Sequence, residues 1–376
     1  MCANTRTGDS VRCTPSAFDD VPAGYFYPVT SNPQSGPTTG VRTRIEPPLP
    51  QARGPLSHIV VDLLGQRAPH GGLAPIPGPM ADADPFGADL QLALYTSYEL
   101  HYRGFAGVDP RWEWDPALLQ LRARMEDTFL DAVRQETGPI TAADDPHAEM
   151  ETLSIEPTQD TGLSWYLRDD GVWEQMREYF VHRSLYHLKE ADPHAWVIPR
   201  LVGQAKASFV AVEFDEFGSG RGANLHQELF ADLLAAADLD DTYLGYLDVV
   251  GAEALAVVNL MSMLGLHREL RGATVGHFAA TEITSPPGSR RLVQGLQRLR
   301  APQPCIAFYA EHVEADAVHE QVVRTDVVGA LLEQEPALAA DVVFGMRAFG
   351  AVEDRLATAL LECWRAGQSS LLRTLS

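Results

Sequence analysis

Apolar residues recur every three or four positions in segment after segment of this 376-residue chain, and this spacing constrains the fold more than any other feature. The pattern starts at about residue 86 and is clear in DLQLALYTSYELHYRGF (89–105) and DPALLQLRARMEDTFLDAVRQET (115–137). Such intervals place the apolar side chains on one face of an α-helix. The alternation of apolar and polar residues that is typical of a half-buried strand is almost absent. The sequence therefore predicts an all-α bundle.

Proline and glycine residues separate the predicted helices. GVWEQMREYFVHRSLYHLKEADP (171–193) is expected to remain helical up to Asp192–Pro193, because the residue before a proline disfavours helical backbone. The next helix is expected to have Pro199 near its first turn. Further helices are predicted in residues 224–238, 243–270, 274–285, 288–299, 306–332 and 336–367.

The first 85 residues differ in composition from the rest. SNPQSGPTTG (31–40) and EPPLPQARGP (46–55) contain many turn-forming residues, so residues 1–85 are predicted to form an irregular N-terminal arm that wraps the surface. Within the arm, residues 57–66 fit either a short helix or a strand. Residues 86–376 are predicted to form the helical domain, in which residues 138–172 are a polar link.

The acidic composition excludes several classes of partner. The net charge is −22, from 51 acidic and 29 basic residues, so a nucleic acid or an anionic membrane surface is not expected to bind. The sequence contains no apolar run of membrane-spanning length, and its first residues lack the apolar core of a secretory signal. The four cysteines are scattered, which favours a reduced, cytoplasmic protein.

Metal-ligating residue types share one helical face in EHVEADAVH (311–319). His312, Asp316 and His319 are spaced four and three residues apart, an arrangement that also occurs among ordinary surface or core residues. Glu282 strengthens the metal hypothesis, because it lies in an apolar segment where a buried carboxylate needs a partner. Imidazoles and carboxylates without a thiolate suit iron or manganese better than structural zinc.

Further candidate ligands lie earlier in the chain. Glu190 precedes the Asp192–Pro193 break, and Glu216 and His226 flank the glycine-rich stretch 217–224, which does not match a dinucleotide-binding motif. Spacing alone does not decide between Glu216 and its alternatives, Glu213 and Asp215. The remaining internal histidines share no clean face with a second ligand and are interpreted as core or surface residues: His182, His187, His194, His267 and His277.

The order of these candidates resembles that of the haem-oxygenase-like diiron oxidases and oxygenases, over residues 86–367. The resemblance implies a haem-oxygenase-like helical bundle that binds no haem. It also implies a metal site for two iron ions, formed by Glu190, Glu216, His226, Glu282, His312, Asp316 and His319. In this family pattern Glu282 bridges the irons, and Glu216 is the additional carboxylate of the N-oxygenating members.

The resemblance also implies an activity in specialised metabolism. O2 is expected as co-substrate, and a small amine or free amino acid is expected to be N-oxygenated through a peroxodiiron(III) intermediate, with Glu216 and Glu282 as catalytic residues. One alternative is desaturation, fragmentation or ring closure of an amino acid by the same intermediate. Another is a non-catalytic bundle with a vestigial site. An external reductant and a homodimer are compatible with the family pattern.

Overall fold

The computed structural model describes residues 46–68, 83–155 and 162–375, without the side chains of residues 314–318. The described residues all belong to one compact unit. They contain fourteen α-helices: α1 (Pro55–Leu64), α2 (Ala88–Glu99), α3 (Pro116–Thr137), α4 (Pro146–Ser154), α5 (Leu163–Asp169), α6 (Trp173–His187), α7 (Asp192–Ala195), α8 (Gly203–Glu216), α9 (His226–Ala236), α10 (Ala252–Leu266), α11 (Arg271–Leu299), α12 (Gln303–Val322), α13 (Ala330–Gln334) and α14 (Ala339–Arg365). No strand occurs among these residues, so the prediction of an all-α fold is confirmed.

Helix α3 shows how local sequence sets the ends of a helix. The side chain of Asp115 accepts hydrogen bonds from the backbone N–H groups of Ala117 and Leu118, and Pro116 occupies the first helical position. Gly138 follows the last residue with a φ of 69°, a left-handed conformation that glycine adopts readily. These bounds agree with the helix predicted for residues 115–137.

Helix α11 lies at the centre of the bundle and packs against α12 and α14. Its contact with α14 depends on two glycines. A Cβ atom at Gly276 would lie 1.9 Å from the carbonyl oxygen of Val342, and one at Gly345 would lie 2.0 Å from that of Ala273. The absence of both side chains therefore lets the two backbones approach each other closely.

The prediction of separate helices at 274–285 and 288–299 is wrong, because α11 continues through Pro286 and Pro287. Proline has no N–H group, so Pro286 cannot donate the helical hydrogen bond to the carbonyl of Glu282. Helix α11 packs against α5, α12 and α14, and this packing stabilises the helix despite the lost bonds. The carbonyl of Glu282, a candidate ligand, therefore lacks the hydrogen bond that it would accept in a regular helix.

Helix α6 ends at His187, so the prediction of a helix that reaches Asp192 is also wrong. Residues 188–191 form a turn in which Lys189 N donates to Tyr186 O at 2.8 Å. Ala191 has a φ of 71°, which is strained for a residue other than glycine. Glu190 therefore lies in a tight turn between α6 and α7 and not at a helix end.

Other boundaries also differ from the predictions. Pro199 lies in a 3-10 turn before α8, and α10 begins at Ala252, nine residues after the predicted start. The polar link at 138–172 contains α4 and α5, and the stretch 306–332 divides into α12, a π-helical turn at Val323–Gly329 and α13. These differences arise because tertiary packing overrides local preference at helix ends.

Part of the predicted N-terminal arm is ordered. Helix α1 packs against α2, and Asp89 accepts hydrogen bonds from the backbone N–H groups of Leu56 and Ser57 at 2.9 and 2.7 Å. Residues 1–45 and 69–82 of the arm lie outside the described residues. In the part of the chain that is described, no helix is long and apolar enough to cross a bilayer.

Candidate metal centre

Two groups of buried side chains place their potential ligand atoms close enough together to bind metal ions. The first group is Glu190, Glu216, His226 and His312, and the second is Glu216, Glu282 and His319. Within each group the ligand atoms lie within 4.8 Å of one another. Glu216 belongs to both groups, so its carboxylate connects two neighbouring sites. We call the six residues together the ligand cluster.

Four helices and one turn supply the ligand cluster. Glu190 lies in the turn after α6, Glu216 is the last residue of α8, and His226 is the first of α9. Glu282 lies in the middle of α11, and His312 and His319 lie two helical turns apart on α12. All six are buried, with exposed fractions between 3% and 7%.

Six of the seven residues predicted from the sequence therefore come together. The seventh, Asp316, lies in α12, and its side chain is outside the described part of the structure. The sequence pattern implied Glu282 as the bridging carboxylate, but the shared residue of the two groups is Glu216. Glu282 joins Glu216 and His319 in the second group only.

Short distances connect the imidazoles and the carboxylates. His226 Nδ1 lies 2.6 Å from Glu216 Oε2, and His319 Nδ1 lies 3.3 Å from Glu282 Oε2 and 3.9 Å from Glu216 Oε1. His312 Nε2 is 3.7 Å from Glu190 Oε1. These nitrogen and oxygen atoms converge on the same small volume, as the ligands of a metal ion do.

Two histidines are oriented by hydrogen bonds on their other ring nitrogen. His312 Nδ1 donates to the carbonyl of Phe308 at 2.8 Å, and His319 Nε2 donates to Asp215 Oδ2 at 3.2 Å. Such bonds fix the tautomer and direct the opposite nitrogen of each ring toward the cluster. Asp215, an alternative to Glu216 in the sequence, therefore acts on His319 from outside the two groups.

Glu213, the other alternative, is buried beside the ligand cluster but belongs to neither group. It lines a cavity of about 20 Å³ together with Glu190, Glu216 and Glu282. Neither of its carboxylate oxygens has a hydrogen-bond partner. Burial, and then the neighbouring carboxylates of Glu216 and Glu282, raise the pKa of Glu213 well above its ordinary value.

The charges of the ligand cluster fit a bound cation. It combines three carboxylates with three imidazoles, the donor types of a mixed nitrogen and oxygen metal site. Burial alone would raise the pKa of Glu190, but His187 and His312 outweigh burial and hold that pKa well below its ordinary value. Glu190 Oε2 is buried without a hydrogen-bond partner. An ionised, buried carboxylate of this kind is stabilised by a metal ion, and the nitrogen and oxygen donors suit iron.

His187, which was interpreted from the sequence as a core or surface residue, is a neighbour of the ligand cluster. Its Nδ1 lies 2.9 Å from Glu190 Oε1, and its ring centre lies 6.2 Å from that of His312. The spacing of three residues from Glu190 was the only sequence signal. His194 and His277 form a buried pair, with Nε2 and Nδ1 3.1 Å apart, and burial lowers the pKa of His277 to about 3.

A larger cavity of about 370 Å³ lies beside the first group, with Glu190 and His312 in its wall. Its lining also contains Arg183, Arg291, Glu353 and Asp354, so with Glu190 the wall has two arginines and three carboxylates. Arg183 donates to both carboxylate oxygens of Glu353, at 2.7 and 2.5 Å. The volume lies at the small end of the range for ligand pockets, roughly 300–1,000 Å³.

Comparison with known proteins identifies the class that this fold and centre define. Residues 177–354 match the family model of the iron-containing redox enzymes, a segment that contains the whole ligand cluster. The chain is therefore similar to this family over that segment, and the match supports an oxidoreductase with a haem-oxygenase-like helical fold. The resemblance seen in the sequence is thereby confirmed.

One characterised relative extends this result. Over 157 residues, or 42% of this chain, the protein is 25% identical to a nitrosourea synthase of Streptomyces achromogenes subsp. streptozoticus. The matched segment spans 33% of the relative's length.

Proposed function

We propose that this protein is a non-haem diiron enzyme that uses O2 to oxidise a small amine or a free amino acid, most specifically at nitrogen. The observation that carries this proposal is the pair of buried ligand groups that share Glu216. A shared carboxylate between two sites is the arrangement by which bundle proteins hold two metal ions next to each other. The similarity to an iron-containing redox family supports iron as the metal.

The protein's own residues hold and orient the proposed irons. Glu190, His226 and His312 would bind one ion, Glu282 and His319 the other, and Glu216 both. Asp316 stays a predicted ligand. When bound, the irons would supply the reduction of O2 and the oxidation of the substrate. Glu216 and Glu282 remain the proposed catalytic carboxylates, because their negative charge offsets the positive charge that develops at the metal.

The cavity of about 370 Å³ supports a small, charged substrate. Arg183 lies one helical turn before His187, and His187 contacts Glu190. A small molecule bound beside Arg183 would therefore also be close to the ligand cluster. The arginines and carboxylates of this wall suit the carboxylate and ammonium groups of a free amino acid. N-oxygenation is favoured within this class because the matched relative is a nitrosourea synthase, a product name that implies oxidised nitrogen.

The test begins with anaerobic loading of the metal-free protein with Fe(II), followed by a count of iron per chain. The loaded protein is then mixed with O2, a reductant and a panel of amines and amino acids, and the products are identified by mass. We expect two irons per chain and a product that has gained oxygen on nitrogen. Loss of two hydrogens without added oxygen would instead establish C–H oxidation.

His319→Ala and Glu311→Ala form a matched pair for this test, because both lie on α12 but Glu311 is exposed. We expect His319→Ala to lose iron and activity and Glu311→Ala to retain both. Zero or one iron in the wild-type protein, with no O2-dependent product, would refute the proposed function and leave the vestigial bundle as the explanation.

A further inference from the structure

A buried lysine lies directly before the ligand Glu190. Lys189 and Glu99 have exposed fractions of 1% and 0%, and the Lys189 ammonium donates a hydrogen bond to the Glu99 carboxylate. The ammonium also lies 4.6, 4.5 and 5.5 Å from the ring centres of Tyr95, Tyr102 and Tyr243. Aromatic faces attract a cation at such distances. We call these five residues the lysine cage.

The lysine cage is connected to the ligand cluster by a short chain of hydrogen bonds. Glu99 accepts from the backbone N–H of Arg103 at 3.2 Å. The Arg103 guanidinium donates to Leu188 O at 3.2 Å and to Gln227 Oε1 at 2.6 Å. Gln227 Nε2 donates in turn to the backbone carbonyl of Glu190 at 3.1 Å. Each link is a direct contact, so the chain of bonds needs no bridging group.

These hydrogen bonds involve residues next to the first ligand group. Lys189 and Gln227 are the direct chain neighbours of Glu190 and His226, which both belong to the first ligand group. The second group receives Glu282 from α11 and His319 from α12, and none of the hydrogen bonds described above involves those helices. The network therefore joins the end of α2, the turn at 188–191 and the start of α9.

A buried ion pair contributes little to stability by itself, because removal of both charges from water offsets their attraction. Where a buried pair has a role beyond stability, the selection of one structural arrangement is the best-supported role. The turn at 188–191 is a place where such a role applies, because Ala191 has an unfavourable φ of 71°. The turn also has to hold Glu190 close to His226, which belongs to a different segment of the chain.

We propose that the lysine cage, Arg103 and Gln227 are positioning residues for the first ligand group, and that they set the iron affinity of this site without setting that of the second. The proposal rests on the proposed function, since it assumes two irons. Groups that orient ligands from outside typically change metal affinity by about 10–100-fold when they are replaced.

The test compares Gln227→Ala and Lys189→Met with the wild-type protein by anaerobic Fe(II) titration and by Mössbauer spectroscopy of the 57Fe-loaded protein. We expect one of two binding events to weaken by about tenfold or more, and the Mössbauer signal of one iron to change while the other is retained. Gln227→Glu keeps the acceptor for Arg103, so it should restore part of the affinity that Gln227→Ala loses.

Arg347→Met is the control for a general loss of stability. Arg347 pairs with Asp144 and Glu149 at 2.7 and 2.8 Å, away from both ligand groups, and its replacement should leave both irons bound. If Lys189→Met does not fold, the milder Gln227 variants decide the outcome. Equal weakening of both irons, or no change in either, would overturn the positioning role. Fewer than two irons in the wild-type protein would refute the proposed function instead.

Discussion

The lysine cage and the ligand cluster are neighbours in the chain but differ in how their charges are balanced. The cage pairs the ammonium of Lys189 with the carboxylate of Glu99, and Tyr243 donates a further hydrogen bond to that carboxylate at 2.8 Å. The cluster brings together the carboxylates of Glu190, Glu216 and Glu282 with the imidazoles of His226, His312 and His319. Lys189, Glu99 and the six residues of the ligand cluster are almost fully buried, whereas Tyr102 and Tyr243 of the cage are partly buried.

This difference separates two uses of buried charge. In the cage, the protein supplies both signs, so the charges are balanced in the folded chain alone. In the cluster, the protein supplies an excess of carboxylates, which a cation would balance. The comparison therefore predicts opposite responses to mutation and to metal in the two regions.

The largest effect is expected in the cage. Lys189→Met leaves Glu99 buried without its cation, and breaking one side of a buried pair costs about 3–5 kcal/mol in the free energy of unfolding. Urea denaturation of the metal-free protein measures this loss. A loss below about 1 kcal/mol, the value typical of an exposed pair, would contradict the comparison.

The next effect concerns iron. A cation that binds only the folded state stabilises it, so free Fe(II) at about 100 times its dissociation constant should raise the free energy of unfolding by about 3 kcal/mol. Thermal unfolding before and after anaerobic loading checks this gain. His319→Ala and Glu282→Ala remove proposed ligands of the second group and should show a smaller gain. An identical melting temperature with and without iron would show that the cluster is balanced without a cation.

A smaller effect of the opposite sign is expected at Glu213. Glu213→Gln replaces a carboxyl group whose pKa is raised by burial with a neutral amide of similar size, so it should stabilise the metal-free protein at neutral pH by about 1.4 kcal/mol for each unit by which that pKa is raised. Glu99→Gln, the same substitution in the cage, should destabilise it. The two variants thus form a matched pair.

The Glu213 effect should depend on pH. Since the folded-state pKa of Glu213 is raised above its ordinary value of 4.5, its ionisation in the unfolded state favours unfolding as the pH increases beyond that value. The advantage of Glu213→Gln over the wild type should therefore grow as the pH rises from about 4.5. A stability difference between Glu213→Gln and the wild type that is the same at about pH 4 and about pH 7 would contradict the raised pKa of Glu213.

The smallest effect is expected at His182, a buried histidine outside both regions. Burial lowers its pKa from 6.5 to about 4, and its Nε2 lies 3.0 Å from Ser370 Oγ. The unfolded state binds a proton near pH 6.5 and the folded state does not, so stability falls as the pH drops below 6.5. At about pH 5.5 the loss should be about 1 kcal/mol, because one pKa unit corresponds to about 1.4 kcal/mol.

His182→Gln removes this proton-linked loss and should reduce the difference in unfolding free energy between about pH 7.5 and pH 5.5. Iron binding should be the same in this variant and in the wild type, since His182 is not a member of either ligand group. An unchanged pH dependence would show that His182 does not contribute to acid sensitivity.

Much of the centre could be predicted because its chemistry depends on residue types at recurring intervals. His312 and His319 share a face of α12 by helical geometry, and Glu282 stands out as a carboxylate in an apolar segment. His187 was missed although it lies three residues before Glu190, an interval at which side chains are neighbours on a helix. The turn after α6 keeps these two side chains in contact.

The sequence by itself determined the all-α class, the bounds of α3 and the set of candidate ligands. These follow from backbone preferences and side-chain periodicity that act over a few residues. The tertiary structure decided the sharing of Glu216 by both groups, the course of α11 through Pro286, and the pairing of Lys189 with Glu99, 90 residues away. Those features depend on which distant segments pack together, and local preferences do not specify such contacts.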